Sequence, residues 1–435
     1  MNNPVRFTFW SATLAMAAAG ESAERIGVKA GSTPVHFTEM LVWDGFSYNW
    51  GVQAADLDGD GTLDLTATDA LAGRMKTEPL AGEASPDANE TIGVSSNLYW
   101  FKNDGQGNFE RRHVARNDLH GRLERHVIAD INQDGRLDIV SVDNFYGDLL
   151  WYENPGPAAL KSGALWPKHF ITKGGMLGAE DLVAADFNGD GSLDVAAAGW
   201  RLGNRFAWFA NPGSTSPHDE WESGHVDGGF PVARSITAGD VNAAGRPDLL
   251  ATSDTSAIVL WYENVATKAG GVQWRRNVID LPGGAPRGQP VFGKLADINQ
   301  DGRLDVLMPF GGWGADREGG VAWYENHRVE DGRIQWKKHL ITEALPGGFE
   351  AVTADLDKDG DLDVVATGET PGEVAWFENP GNPAGRWTKH SLKEDWKHAN
   401  QVIVADLNGD GRPDIASVAD YGSLELRWWR NDGKP

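Results

Sequence analysis

The sequence predicts an all-β fold: a seven-bladed β-propeller of four-stranded antiparallel blades, its ring closed by an N-terminal strand. Three observations predict it. A nine-residue acidic loop, Asp-x-[Asp/Asn]-x-Asp-Gly-x-x-Asp, starts at Asp56 and returns at Asp130, Asp186, Asp240, Asp297, Asp355 and Asp406. A second motif, Trp-aromatic-x-Asn, follows each loop, at Trp100, Trp151, Trp208, Trp261, Trp323 and Trp376 and in the Trp-Trp-Arg-Asn run that ends at Asn431. A third follows in most units: an aromatic residue, basic residues and often His, as in Trp166-Pro167-Lys168-His169 and Trp336-Lys337-Lys338-His339. One strand before the acidic loop, one after it, the Trp strand and the Trp/His strand make four per unit, and seven such units repeated radially make a propeller.

Each unit opens on a short apolar strand that runs into the acidic loop. Side-chain oxygens at positions 1, 3, 5 and 9, with Gly at 6 for the sharp turn, form a cage for a hard cation. Ca²⁺, which takes six to eight oxygens in tolerant geometry, suits it. An EF-hand would need Glu at position 12 and flanking helices; position 12 is Ala67 in the first copy and Ser141 in the second. The expected ligands are Asp56, Asp58, Asp60 and Asp64 in the first loop and Asp130, Asn132, Asp134 and Asp138 in the second. Asp186, Asn188, Asp190 and Asp194 follow in the third, and Asp297, Asn299, Asp301 and Asp305 in the fifth. Asp355, Asp357, Asp359 and Asp363 serve the sixth, and Asp406, Asn408, Asp410 and Asp414 the seventh. The fourth has Ala244 at position 5 and is expected to be empty or weak. About six structural Ca²⁺ sites result, and a separate catalytic metal is left open.

After each loop comes a second apolar strand, such as Leu137-Asp138-Ile139-Val140, then the Trp strand, whose indoles are expected to pack between blades. The recurring His113, His169, His225, His339 and His390 read as structural for the same reason. The last unit stops after its Trp strand. Val35-His36-Phe37-Thr38 resembles the missing outer strand and is expected to cover that open edge, so the propeller spans 34–433. Residues 1–24 read as an export signal, with Arg6, the mostly apolar stretch Phe7 to Ala19 and a small-residue cleavage region at Ala17 to Gly20; 25–33 is a linker. No other stretch is long and apolar enough to span a membrane. The expected protein is a secreted or periplasmic monomer.

The formal net charge is −24, with 54 Gly, 19 Trp and no Cys. The acidic loops supply much of that charge, and bound divalent ions would cancel part of it. There is no basic stripe for nucleic acid and no disulfide framework.

The acidic loops resemble the FG-GAP or VCBS-type calcium-binding propeller repeats. The full unit, with Trp-Tyr-Glu-Asn-Pro-Gly and Trp-x-Lys-His, is similar to the propeller of the aldos-2-ulose dehydratase group, enzymes that eliminate water from oxidised sugars. That resemblance covers about residues 34–433 and implies a carbohydrate substrate or ligand.

Function is expected where the repeat breaks, in the segments leading into the innermost strands and in the loops before the Trp strands. Those segments hold candidate substrate-binding residues: Tyr48, Trp50, Arg122, Glu180, Asp181, Trp200, Arg201, Arg287, Trp313, Arg317 and Glu350. Arg matches a carboxylate with two prongs, and Trp and Tyr offer flat faces to sugar rings. Elimination beside a carboxylate or carbonyl needs a base, a charge neutraliser and an acid. His126 and His120 are candidate bases, Tyr146 a candidate acid, Arg205 and Arg234 candidate neutralisers, and His398 a further catalytic candidate. The expected function is a carbohydrate lyase or dehydratase, with a glycosidase also possible. The alternative is a non-enzymatic, calcium-dependent glycan-binding or adhesion propeller. An insertion at about 71–97, without aromatic residues, could be a lid or a disordered tip.

Overall fold

The computed structural model describes residues 35–70, 95–118, 122–200, 203–213, 220–229, 233–253, 256–266, 271–281, 283–311, 318–329 and 333–434. The expected export signal and linker, and most of the 71–97 insertion, lie outside the described residues, as do His120, Arg201, Trp313 and Arg317.

The chain forms seven antiparallel sheets of the expected kind. In blade three the innermost strand Ala179–Ala185 pairs with Asp194–Gly199, which pairs with Arg205–Ala210, which pairs with the outer strand Glu222–Gly228. The other blades follow the same order, except that the innermost strand of blade five is split into Gln289–Pro290 and Lys294–Ala296. Blade seven is completed by the N-terminus: His36–Trp43 pairs with Glu425–Gly433, with Met40 opposite Trp428. Across that seam Glu39 accepts from Arg427 at 2.8 Å and from Lys393 at 2.7 Å.

The core lies between blades. Val142, Leu149 and Trp151 of blade two pack against Leu182, Val195 and Phe209 of blade three. Second strands such as Asp64–Asp69 and Asp138–Asp143 are buried at every residue, because both faces meet a neighbouring blade. Three of the five recurring His residues pack on the Trp of their own blade: the imidazoles of His169, His339 and His390 lie 4.5, 4.4 and 4.3 Å from the rings of Trp151, Trp323 and Trp376.

The Asn of the Trp motif does more than the sequence suggested. Its amide reaches the backbone of another blade: Asn154 Nδ2 donates to Leu57 O at 2.8 Å, Asn211 to Ile131 O at 2.9 Å and Asn431 to Leu356 O at 2.8 Å. In each of these bonds, and in those of Asn103, Asn264 and Asn326, the acceptor is the second residue of that blade's acidic loop; Asn379 instead donates to Leu362 O of its own blade. Buried carbonyls are thereby satisfied, and six of the seven acidic ends are fastened to a neighbouring blade.

The loops share one backbone. Position 6 is Gly with positive φ throughout, from 79° at Gly411 to 94° at Gly360. Position 4 is also left-handed, even where it is Gln133, Ala243, Gln300 or Lys358, at φ between 55° and 59°.

Candidate functional site

The upper face is where the innermost strands begin, and three rings of side chains surround the axis there. The first ring holds the residues just before each strand: Tyr48, Arg122, Gly178, Gln289, Gly347 and His398. Their equivalence is shown by one repeated bond, in which the carbonyls of Tyr48, Arg122, Gly178, Gly347 and His398 accept from the backbones of Ala70, Asn144, Trp200, Glu369 and Asp420. Two residues further along, the second ring is Trp50, Glu124, Glu180, Arg234, Val291, Phe349 and Asn400. The third is Gly51, Arg125, Asp181, Ser235, Phe292, Glu350 and Gln401.

The second and third rings form a packed plug. The guanidinium of Arg125, from blade two, pairs with Glu350 of blade six at 2.8 Å and lies 3.5 Å over the ring of Phe292 in blade five. Glu350 also takes Lys294 at 2.9 Å, and Arg234 pairs with Glu180 at 3.0 Å. Trp50 of blade one meets Phe349 of blade six edge-on at 5.6 Å. Blades that are not ring neighbours can touch only at the axis, so these contacts locate it. Burial pushes Glu180 up to about 7, with Arg234 opposing it. Burial would raise Glu350 as well, but Arg125 and Lys294 more than offset that and hold it below the usual range.

This corrects the expected surface position of several residues. Tyr48, Trp50, Glu180, Arg234 and Glu350 are at most 3% exposed, and Asp181 is buried with its carboxylate taking the Ile236 backbone N–H at 2.9 Å. His126 is buried too; its Nε2 lies 2.7 Å from Thr66 Oγ1 of blade one, and burial lowers its pKa to about 3. A neutral imidazole wedged between two blades has no contact with a ligand on the face. Seven converging strands leave an axis narrow enough for their own side chains to fill, which a count of polar residues cannot reveal.

In the first ring and its surroundings Arg122, Gln289, His398 and Tyr421 are partly exposed, whereas Tyr48, Glu369 and Asp420 are buried. Arg122 pairs with Glu124 at 2.7 Å, lies 4.3 Å over the Tyr48 ring and donates to the Tyr48 hydroxyl. Tyr421 packs 5.0 Å from Tyr48 and 5.9 Å from His398. His398 Nδ1 lies 3.1 Å from Glu369 Oε1 and 3.7 Å from Asp420 Oδ1, with 30% of its side chain exposed. Burial, and then the neighbouring Glu369, push the Asp420 carboxyl well above its ordinary value. Tyr48, Arg122, His398, Glu369, Asp420 and Tyr421 are thus one contiguous group on blades six, seven, one and two.

The remaining candidates stand apart from that group. Tyr146 is on the rim, 42% exposed. Arg205 donates to Gly175 O and to Met176 Sδ at 3.4 Å, so it braces the loop that leads into blade three. Arg287 pairs with Glu318 at 3.1 Å among exposed side chains. Trp200 stands 5.1 Å from the Arg234 guanidinium, at the edge of the plug. Among the participants that escaped the sequence reading are Arg125 and Phe292 in the plug, and Glu369 beside His398. Alignment of the seven units strand by strand, rather than motif by motif, would have placed all three.

The lower face carries the acidic loops. The first Asp of each folds the turn, as when Asp130 accepts the backbone N–H groups of Asp134 at 3.0 Å and Gly135 at 2.9 Å. Oxygens of Asp56, Asp58 and Asp60 lie within 4.8 Å of one another, as do those of Asp355, Asp357 and Asp363. Asp58 Oδ1 is buried without a hydrogen-bond partner, and Lys102 reaches into the same loop, 2.7 Å from Asp60. The ninth-position carboxylates are buried, which pushes them up to about 6 at Asp64, 7 at Asp138 and 8 at Asp363. Clustered, desolvated carboxylates with orphaned oxygens are a donor set that fits a hard cation. The fourth loop keeps the turn, with Ala244 N donating to Asp240 Oδ1 at 2.8 Å, but lacks the fifth oxygen.

Comparison with known proteins agrees with this geometry. Among solved structures, the chain is similar to an Agrocybe aegerita lectin that recognises non-reducing terminal N-acetylglucosamine, at 19% identity and a TM-score of 0.50, over 81% of this chain and 82% of that one. It is also similar to a periplasmic gluconolactonase of Pseudomonas aeruginosa, at 12% identity and a TM-score of 0.50, over 79% of this chain and 84% of that one. At such identities the likeness concerns the fold. No curated protein matches the chain. The FG-GAP-like repeat matches at residues 130–197, 186–251, 297–366 and 355–417. These stretches cover 130–251 and 297–417, more than half of the sequence, each reaching from one acidic loop into the next blade, and the chain belongs to the FG-GAP-like repeat family.

Proposed function

We propose that this is a secreted or periplasmic carbohydrate-directed propeller whose ligand occupies the upper face above the plug, and that its chemistry is elimination beside a sugar carboxylate or carbonyl. One observation carries the reading: the first ring is lopsided. Tyr48, Arg122 and His398 stand on three successive blades, whereas the equivalent places in blades three and six are Gly178 and Gly347. Packing accounts for the glycines, since a Cβ at Gly178 would stand 2.0 Å from Trp200 O, but it leaves Arg122 and His398 partly exposed on one side of the ring, where an asymmetric ligand can reach them. Arg122, already paired with Glu124 at 2.7 Å, adds positive charge beside a ligand carboxylate. Tyr421 offers a ring face, and His398 with Glu369 and Asp420 forms the polar end where a proton can be exchanged. The carbohydrate class draws support from the lectin and the gluconolactonase that share the fold.

In the six complete loops we assign Ca²⁺ a structural role, since the loops stand at the far ends of the innermost strands from this group. A panel of uronate polysaccharides, read by absorbance of unsaturated products, tests the reaction. Arg122→Ala should lower the rate by about 10²–10³-fold, the scale of losing a donor aimed at developing negative charge. Saturable sugar binding without product would favour the glycan-binding alternative, for which the lectin's shared fold speaks. A protein that neither binds nor converts any member of the panel would sink both readings.

A further inference from the structure

We propose that Glu369, His398 and Asp420 bind one divalent transition-metal ion of the Zn²⁺ class, at a site separate from the acidic loops. One ligand atom from each residue lies within 4.8 Å of the other two. Two of the separations are 3.1 and 3.7 Å. Neighbouring ligands around a tetrahedral Zn²⁺, at bond lengths near 2.0–2.2 Å, stand roughly 3.3–3.5 Å apart, so small side-chain adjustments close the cage.

Asp420 supplies an independent reason. It is 0% exposed, and neither carboxylate oxygen has a hydrogen-bond partner. Acidic residues one position earlier, at the strand ends of blades one and two, are treated differently. Asp69 accepts the backbone N–H groups of Ser47 and Tyr48 at 2.9 and 3.0 Å. Asp143 accepts those of Phe145 and Tyr146 at 3.0 and 3.2 Å. Arg122 acts on Asp420 electrostatically, but its guanidinium is engaged with Glu124 and Tyr48. A buried carboxylate with both oxygens unmatched, facing an imidazole and a second carboxylate, is the environment a cation completes.

The backbone of His398 points the same way. Its φ is +58°, at the place where blades three and six use Gly178 at +68° and Gly347 at +64°. A side chain is held in a left-handed conformation that glycine would adopt freely. One nitrogen and two carboxylates suit a borderline ion such as Zn²⁺ better than Ca²⁺, which prefers an all-oxygen shell. The 30% exposure of His398 leaves one side of the site open, as in catalytic rather than structural zinc sites.

The inference does not depend on the ligand being a sugar, and its test uses metal alone. The whole protein is first saturated with Ca²⁺ to fill the loops, then titrated with Zn²⁺ by calorimetry. Wild type should take up one equivalent. Asp420→Asn and His398→Gly should each weaken that uptake tenfold or more. His398→Gly relieves the left-handed residue and should melt no lower than wild type without Zn²⁺, so its loss cannot be ascribed to misfolding. Co²⁺ in place of Zn²⁺ should give visible absorption in wild type and not in His398→Gly. No Zn²⁺ uptake by the Ca²⁺-loaded wild type, or equal uptake by both variants, would overturn the proposal.

Discussion

The two ends of the innermost strands obey different rules. At the lower end seven loops repeat one backbone and nearly one set of side chains. At the upper end seven equivalent positions hold Trp50, Glu124, Glu180, Arg234, Val291, Phe349 and Asn400, and much of that variety goes into filling the axis. Variation at a symmetric centre is therefore not by itself a mark of a binding site. Side chains that must interlock across an axis cannot all be alike, because seven copies of one shape do not fill it. Function is better sought one layer out, where Arg122 and His398 are partly exposed, although Tyr48 beside them packs on Trp50 in the core.

The comparison is sharpened most by removing cations. For loops with dissociation constants in the range of extracellular Ca²⁺ modules, ion at tenfold excess stabilises by about 1.4 kcal/mol per site, or roughly 8 kcal/mol for six. Chelation should therefore cause the largest fall in melting temperature, while the plug keeps its own pairs. An unchanged melting temperature in chelator would break the assignment of the lower face. The pH dependence of the chelated protein adds a signature. Asp138, Asp194, Asp305 and Asp414 are raised by burial from 3.8 to about 7. A carboxylate whose pKa is higher folded than unfolded binds more protons in the native state, so stability falls as pH rises between about 4 and 7. Melting curves in chelator should show that fall, and Ca²⁺ should abolish it.

Next in size is the plug. Arg125→Ala leaves Glu350 buried with Lys294 alone and removes the cation over Phe292. Breaking such a pair costs about 3–5 kcal/mol, measurable by denaturant unfolding. A loss under about 1 kcal/mol would mean that the axis is wet and open, and would return the second ring to candidacy as a ligand site.

A smaller effect is expected at the fastening between blades. Asn211 donates to Ile131 O and to Leu193 O at 2.9 and 3.0 Å, and its Oδ1 accepts from Gly213 N at 3.0 Å. Asn211→Ala should cost about 1–3 kcal/mol, the penalty for buried groups left unsatisfied. The residue was visible in the sequence as part of a motif, but its job was not. A repeat announces that a position matters in every blade, and the motif around Asn211 says nothing of a partner some eighty residues earlier. The same distinction separates what was legible from what was not. Blade number, ring closure, loop positions and stacked His residues follow from period and chemistry within one unit. Arg125 against Glu350, Thr66 against His126 and Glu369 beside His398 join different units, and one-dimensional spacing carries no record of them.

The finest test turns the odd loop into an ordinary one. The fourth loop keeps Asp240, Asn242, Gly245 and Asp248, and its backbone already makes the turn: Ala244 N donates to Asp240 Oδ1 and Asn242 Oδ1 at 2.8 and 2.9 Å, as Asp134 N does to Asp130 and Asn132 at 3.0 and 3.1 Å. The turn therefore does not require a fifth carboxylate, and what Ala244 lacks is an oxygen for the ion. Ala244 is exposed, so a larger side chain meets no packed neighbour. Asp248 Oδ2 is buried without a partner, waiting for a positive charge on its inner side. Ala244→Asp should raise the number of bound Ca²⁺ by one and stabilise the protein by about 1 kcal/mol in excess Ca²⁺, the mass-action gain of one weak site. In chelator the same substitution should be neutral or slightly destabilising, because it adds a like charge to an acidic cluster. If stoichiometry does not change, side-chain identity at position 5 is not what separates this loop from the other six.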